Sequence, residues 1–84
     1  MSYYFITFRS VTHAQRGEKL LQKEGIRCSL QRTPRWREER GGGYCLRLKS
    51  RDAARAVQLL RLSGVAFNKV LSAREQGGME ELAL

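Results

Sequence analysis

The sequence predicts a single α+β domain with a ferredoxin-like βαββαβ order, a four-stranded antiparallel sheet and both helices on one face. The chain has 84 residues, the size of one domain. Segments that alternate apolar and polar residues flank two segments with helical periodicity. The halves also repeat a pattern of serine, double leucine, glycine and β-branched residue, ending "LLQKEGI" and "LLRLSGV". A β-α-β unit used twice gives this order, with strands 1 and 3 central.

The first half supplies strand 1 and helix 1. Residues Tyr3 to Phe8, "YYFITF", are rich in aromatic and β-branched residues and predict a strand. Ser10 and Thr12 are candidate N-caps for a helix from Val11 to Glu24. Gly25 is expected to end it in the left-handed conformation. The predicted inner face consists of Ala14, Gly17, Leu20 and Leu21.

A second strand, a loop and a third strand follow. Residues 26–32, "IRCSLQR", alternate and predict a half-buried strand. Residues 33–43 form the loop, which opens with the only proline and ends in three glycines. Residues 44–49, "YCLRLK", alternate again, with Leu46 and Leu48 on one face and Cys45 and Arg47 on the other.

The second half closes the repeat. Ser50 is a candidate cap for helix 2, Arg51 to Ser63, whose apolar residues recur with helical spacing. Gly64 is expected to end it, and residues 65–71, "VAFNKVL", predict strand 4. The domain is therefore assigned to residues 1–72. Residues 73–84 form a tail that is either disordered or folded back onto the body.

The amino-acid composition excludes several classes of protein function. The formal net charge is +8, and residues 1–72 hold 15 basic against 5 acidic side chains, so the body attracts polyanions. No apolar run is long enough to cross a bilayer, and the first residues lack the pattern of a secretory signal. Two cysteines and one histidine give neither a disulfide framework nor a metal site. These features predict a cytoplasmic protein without a cofactor, and the small size argues against an enzyme with a large cleft.

The topology predicts an electropositive end of the sheet. Strands 1 and 2 run in the same direction, so the loop after strand 2 emerges beside the start of helix 1. A helix N-terminus favours an anion or a thiolate, and glycines permit close backbone approach. The alternative is a flexible hairpin loop with solvated arginines. The predicted ligand-binding residues are Arg9, His13, Arg35, Arg37, Gly42 and Gly43.

The two cysteines receive different predictions. Cys28 shares a face with Ile26 and Leu30 and is expected to fill core, as free cysteine often does. Cys45 falls on the helix-free face beside Arg47, where we expect the more reachable thiol. Near positive charge its pKa would be lowered, making it the candidate nucleophile. The alternative is a small apolar residue within the sheet. Because the two thiols lie on opposite faces, a disulfide between them is disfavoured.

The aromatic residues of strand 1, among them Tyr3 and Phe5, invite comparison with an RNA-recognition sheet. Strand 3, "YCLRLK", lacks the glycine-aromatic pattern that stacks bases in that family. The sequence of strand 3 therefore disfavours this comparison.

Several short motifs resemble those of a prokaryotic family of selenium/sulfur carrier protein-like domains. "FRSVTHA", "TPR" and "GYCLRL" stand in the family's order, and the helix ends "EGI" and "SGV" also fit. The resemblance covers about residues 3 to 71. It implies a ferredoxin-like fold, a carrier cysteine and a protein that donates or accepts sulfur or selenium. Aligning Leu46, Arg47 and Leu48 with the family's Leu-Arg-Phe places its Cys-Gly pair on Gly42 and Gly43, so the family cysteine is absent at its own position.

Three hypotheses follow. In the first, the chain is a non-enzymatic carrier that holds sulfur or selenium on Cys45, or a degenerate member that has lost the thiol. In the second, it is a binding module whose arginine-rich 32–43 loop takes a phosphate-bearing ligand or nucleic acid. In the third, it is an adaptor that docks on a larger complex through a helical face or a sheet edge. None of them involves a membrane.

Overall fold

The computed structural model describes residues 3–32, 43–73 and 79–82. It has the predicted α+β, ferredoxin-like βαββαβ arrangement, and a short fifth strand extends the sheet. A 3₁₀ turn, Ser50–Asp52, precedes the second helix. The elements are β1 (Tyr3–Phe8), α1 (Val11–Lys23), β2 (Cys28–Arg32), β3 (Tyr44–Lys49), α2 (Ala53–Leu62), β4 (Val70–Ala73) and β5 (Met79–Leu82).

The sheet has the strand order β2-β3-β1-β4-β5, and every neighbouring pair is antiparallel. Strands 1 and 3 are adjacent and internal, as predicted. Directly paired residues share a face of the sheet. One such row joins Leu30, Leu46, Ile6 and Val70 across four strands.

The core lies between this face and the two helices. Ile6, Phe8, Leu46 and Leu48 of the central strands are buried there against both helices. Gly17 of α1 permits close packing, because a Cβ at this position would lie only 3.0 Å from Phe8 Cζ. The other buried core residues are Ala14, Leu21, Ile26, Ala56, Val57, Leu60 and Val70.

Both helices end at a glycine, as predicted. Gly25 has φ 81° and Gly64 has φ 70°, the left-handed region that glycine adopts without a Cβ penalty. In each case the next residue donates its N–H back into the helix, from Ile26 to Leu21 O at 2.8 Å and from Val65 to Leu60 O at 2.9 Å. These bonds satisfy carbonyls that the helix end would leave unpaired.

The helix starts differ from each other. Ser10 caps α1, and its Oγ accepts from His13 N at 3.3 Å. Thr12, the other candidate cap, lies inside the helix. The prediction that Ser50 caps a helix beginning at Arg51 is wrong, because Ser50 begins the 3₁₀ turn and α2 starts only at Ala53. Neither the turn nor α2 has a side-chain cap hydrogen bond.

Two strands are shorter than predicted. β2 starts at Cys28 rather than Ile26, because Ile26 N is bonded to the end of α1. β4 starts at Val70 rather than at residue 65. Before it, Val65 and Phe67 pack against the helix-side core instead of joining the ladder. This segment is hydrogen-bonded to β1 at Thr7, whose carbonyl accepts from Asn68 N at 2.7 Å and whose Oγ1 accepts from Lys69 N at 2.9 Å.

Part of the predicted tail joins the sheet. β5 pairs with β4 from Val70↔Leu82 to Ala73↔Met79. Of the two alternatives for residues 73–84, the structure therefore has this segment folded back as an edge strand.

Candidate functional site

One end of the sheet gathers the elements predicted to form the site. β1 and β2 end there and β3 begins there, since Phe8, Tyr44 and Arg32 are paired across the three strands. The start of α1 follows from β1 at the same end. Gly43, directly before β3, is half-buried. The loop therefore leaves and returns at the end where α1 begins, as the topology predicted.

Three of the predicted ligand-binding residues, Arg35, Arg37 and Gly42, lie outside the described residues. Their roles stay predictions. Arg9, His13 and Gly43 are described, and all three are at this end of the sheet. The site can therefore be assessed from its helix and strand termini.

The α1 N-terminus is built around Ser10 and His13. Ser10 Oγ accepts from His13 N and lies 2.7 Å from His13 Nδ1. A hydroxyl has one proton and two lone pairs, so it can make both bonds. Both side chains are half-buried, which fixes the imidazole against the helix start. The first turn of α1 contains no acidic residue, so its partial positive charge meets no carboxylate from that turn.

Positive charge surrounds this helix start. Arg9 is exposed directly before it, and Arg32 ends β2 with its guanidinium carbon 5.9 Å from the centre of the Tyr44 ring. Lys69 lies at the same end, because the Thr7 hydroxyl is hydrogen-bonded to the backbone N and O of Lys69. Described segments 7–13, 43–44 and 68–69, together with Arg32, contain no acidic residue. An anion near this end would meet net positive charge.

Lys69 was not predicted as part of this end. Its backbone is held by Thr7, whose N–H donates to Lys69 O at 2.8 Å. The Thr7 hydroxyl also accepts from Lys69 N and donates to Lys69 O at 3.3 Å. The predicted strand 65–71 gave no indication of this contact with Thr7, because it placed residue 69 in the middle of a strand. The sequence signal for this contact is a polar residue, Thr7, near the end of an otherwise aromatic and apolar strand.

Cys45 is completely buried, with 0 % of its surface exposed. The prediction that it is the more reachable thiol is wrong, since Cys28 is the partly exposed one. The predicted face is right: Cys45 pairs with Thr7 and Gln31, in the row next to Leu46. Alternation fixes the face of a strand residue but not whether that face is covered. Among the described residues of the helix-free face, Thr7, Cys45 and Leu71 are buried.

Cys28 packs against the core on the helix side, as predicted, and is half-buried there. Its partner in the neighbouring strand is Leu48. Its Sγ donates to the carbonyl oxygen of Glu18 at 3.9 Å. Burial, and secondly the nearby Glu18 carboxylate, raise the pKa of the Cys28 thiol to about 11. Both causes disfavour the thiolate, which is the nucleophilic form. Both cysteines are free rather than disulfide-bonded.

The described residues hold no group of three or more His, Cys, Asp or Glu side chains that could bind a metal ion. Within residues 3–32, 43–73 and 79–82, no helix has the length and apolar character needed to span a membrane.

Comparison with known proteins identifies a family for this chain. No curated protein and no solved structure matches the chain. Residues 3–72 match the family described as "Putative Se/S carrier protein-like", which covers every described element except β5 and the last residue of β4. The suspected resemblance is confirmed, and the chain belongs to this Se/S carrier protein-like family.

Proposed function

We propose that this chain is a non-enzymatic member of the family that binds an anionic ligand at the basic end of its sheet and has lost thiol carriage. The complete burial of Cys45 is the observation that carries the proposal. A carrier thiol must meet a donor and an acceptor in turn, and a thiolate must be reachable for exchange. Cys28 is no better suited, because its raised pKa keeps it protonated near neutral pH.

The basic end supports the binding half of this proposal. The helix start contributes the partial positive charge of its N–H groups, and Arg9, Arg32 and Lys69 add charge without a carboxylate from the described neighbouring segments. The proposed site also includes Arg35 and Arg37, which belong to the segment between the end of β2 and the start of β3. The family's own cysteine position falls on Gly42, where glycine permits an anion to approach the backbone. The ligand class is a phosphate-bearing or similarly charged small anion.

Family membership favours a second candidate, in which Cys45 carries sulfur or selenium after local opening of the sheet end. The Cys45 thiolate would attack the outer sulfur of a donor persulfide, forming a new S–S bond while the donor leaves as a thiolate. An acceptor would later remove the sulfur in the same way. This candidate requires that the Cys45 thiol becomes accessible in the native protein. The alkylation rate of Cys45 measures that accessibility.

The binding proposal is tested by titrating the protein with inorganic pyrophosphate and following the amide chemical shifts by NMR. The largest shifts are expected at Val11 to His13 and at Gly43. Arg9→Ala should weaken binding by about two- to fivefold, because an exposed ion pair contributes up to about 1 kcal/mol. Arg35→Ala should have a similar effect.

Arg55→Ala is the matched control. Arg55 is also exposed, but it lies on α2, away from the sheet end, so pyrophosphate affinity should not change by more than the loss of one distant charge. Equal weakening by Arg9→Ala and Arg55→Ala would contradict the proposal, as would shifts spread over every basic surface.

A further inference from the structure

The helix-free face of the sheet carries aromatic and basic side chains near the start of β1. The register places Tyr3 opposite Lys49, and Phe5 opposite Arg47. On the other side of Arg47 lies Ser29 of β2. These five residues alternate with the core residues, so they share the face that the helices do not cover.

This part of the face is more open than the part near Cys45. Tyr3, Phe5 and Lys49 are half-buried, while Arg47 and Ser29 are exposed. One row further on, Thr7 and Cys45 are buried. The aromatic rings of β1 on this face therefore keep accessible surface, unlike Ile6 and Phe8 of the opposite face.

Arg47, Tyr3 and Phe5 form a cationic aromatic platform. The Arg47 guanidinium carbon lies 4.6 Å from the centre of the Tyr3 ring, which is within stacking distance. Phe5 is directly across the strand pair from Arg47. A guanidinium plane on one ring, beside a second ring, offers two neighbouring surfaces on which planar groups can stack.

The strands under the platform carry charge of one sign. β1, β2 and β3 contain no acidic residue, and on the helix-free face β3 contributes Arg47 and Lys49. Acidic positions of the sheet are in β5, and the row that contains Arg47 reaches Glu81 only after Phe5 and Leu71. With strands about 4.8 Å apart, this is roughly 14 Å from β3. A polyanion is therefore directed to the β2-β3-β1 side of the face.

We propose that this face binds single-stranded nucleic acid. Bases stack on Phe5 and on the Arg47–Tyr3 pair, and phosphates lie against Lys49 and Arg47. Single strands are favoured over duplexes because only unpaired bases expose the planes that stack on such a platform. The site shares no residue with the anion site at the sheet end, and neither proposal depends on the other.

The test uses the full chain and a short fluorescein-labelled oligothymidylate, with affinity read by fluorescence anisotropy at low and moderate salt. Arg47→Ala should weaken binding by about tenfold, since stacking of one base contributes about that factor or more. It should also lower the slope of log affinity against log salt by about 0.7. Arg47→Lys keeps the charge but loses the planar group, so it should keep the slope and still lose most of the affinity.

Phe5→Leu removes the second stacking surface while keeping an apolar side chain, and should also weaken binding about tenfold. Its thermal unfolding is measured in parallel because Phe5 is half-buried. Because Arg47 is exposed, its variants should stay folded, and they test the proposal even if Phe5→Leu unfolds. Arg55→Ala, with the same charge change on α2, should leave affinity within about twofold. Pyrophosphate binding should not change in Arg47→Lys.

Three results would overturn the proposal. The first is no binding of oligothymidylate at low salt. The second is equal weakening by Arg47→Ala and Arg55→Ala, which would mean that only the overall charge attracts the strand. The third is equal affinity for a duplex, which would exclude stacking as the source of binding. Selective losses in the Arg47 and Phe5 variants, with weaker duplex binding, would support it.

Discussion

At the scale of single residues, the two cysteines show how placement decides chemistry. The same side chain is a buried sheet residue at position 45 and a half-buried helix contact at position 28. Alternation in "YCLRLK" and "IRCSLQR" was enough to assign each thiol to its face. It could not give the exposure of Cys45, because the pattern along one strand carries no information on what covers the face.

The thiols should therefore differ in their alkylation by iodoacetamide, measured at each cysteine by peptide mass spectrometry across a pH series. Cys28 should react slowly near neutral pH, and its rate should rise about tenfold per pH unit until the pH approaches about 11, because only the thiolate reacts. Glu18→Gln should shift this profile to lower pH by removing the smaller of the two causes of the raised pKa. Burial remains, so the profile should not reach that of a free thiol.

Cys45 should stay unmodified in the native protein at a pH where the unfolded chain reacts fully. The unfolded chain in denaturant is the control for intrinsic reactivity. Native alkylation of Cys45 with an apparent pKa below the free-thiol value of about 8.5 would contradict the loss of carriage and support the carrier candidate.

At the scale of elements, local signals with a specific backbone requirement were predictable. Gly25 and Gly64 occupy left-handed positions that other residues resist, and Ser10 supplies an oxygen to unpaired helix N–H groups. Ser50 has the same chemistry without the same role, because a 3₁₀ turn separates it from α2. Whether a serine is the cap depends on where the first helical turn forms, which its identity does not determine.

Replacing Ser10 with alanine should lower the free energy of unfolding by about 1 kcal/mol, the usual contribution of an N-cap. The variant loses the bond from His13 N and the contact with His13 Nδ1. Urea denaturation measures the change. Ser50→Ala is the matched control, and it should change the stability by less than about 0.5 kcal/mol, since neither the 3₁₀ turn nor α2 has a side-chain cap bond. Equal losses in the two variants would contradict the difference between the helix starts.

At the scale of the whole molecule, the repeated β-α-β pattern predicted the four-stranded arrangement, because handedness and short connections leave few ways to join two such units. The fifth strand was not predicted. The β5 residues, "MEEL", favour helices, and their strand conformation comes from pairing with β4 rather than from their own propensity. The comparison of Tyr3 and Phe5 with an RNA-recognition sheet was disfavoured on the sequence of strand 3. The position of Arg47 beside them could not be read from that sequence, because it depends on the register between two strands.

Deleting residues 79–84 should therefore destabilise the protein and expose the edge of β4. Four residue pairs join β4 to β5, and such a ladder has about four hydrogen bonds. At about 0.5 to 1.5 kcal/mol for each bond, the free energy of unfolding should fall by about 2 to 6 kcal/mol. An unpaired β4 edge should also promote self-association, because open strand edges pair with other chains. Urea denaturation measures the loss of stability, and sedimentation velocity measures the self-association.

Two control variants separate strand pairing from other effects of the deletion. Deleting only residues 83–84 leaves all four pairs in place and should change neither the stability nor the self-association. The double variant Glu80→Gln/Glu81→Gln removes the same two negative charges as the longer deletion while keeping the strand. If it destabilised the protein as much as that deletion, charge rather than strand pairing would explain the loss.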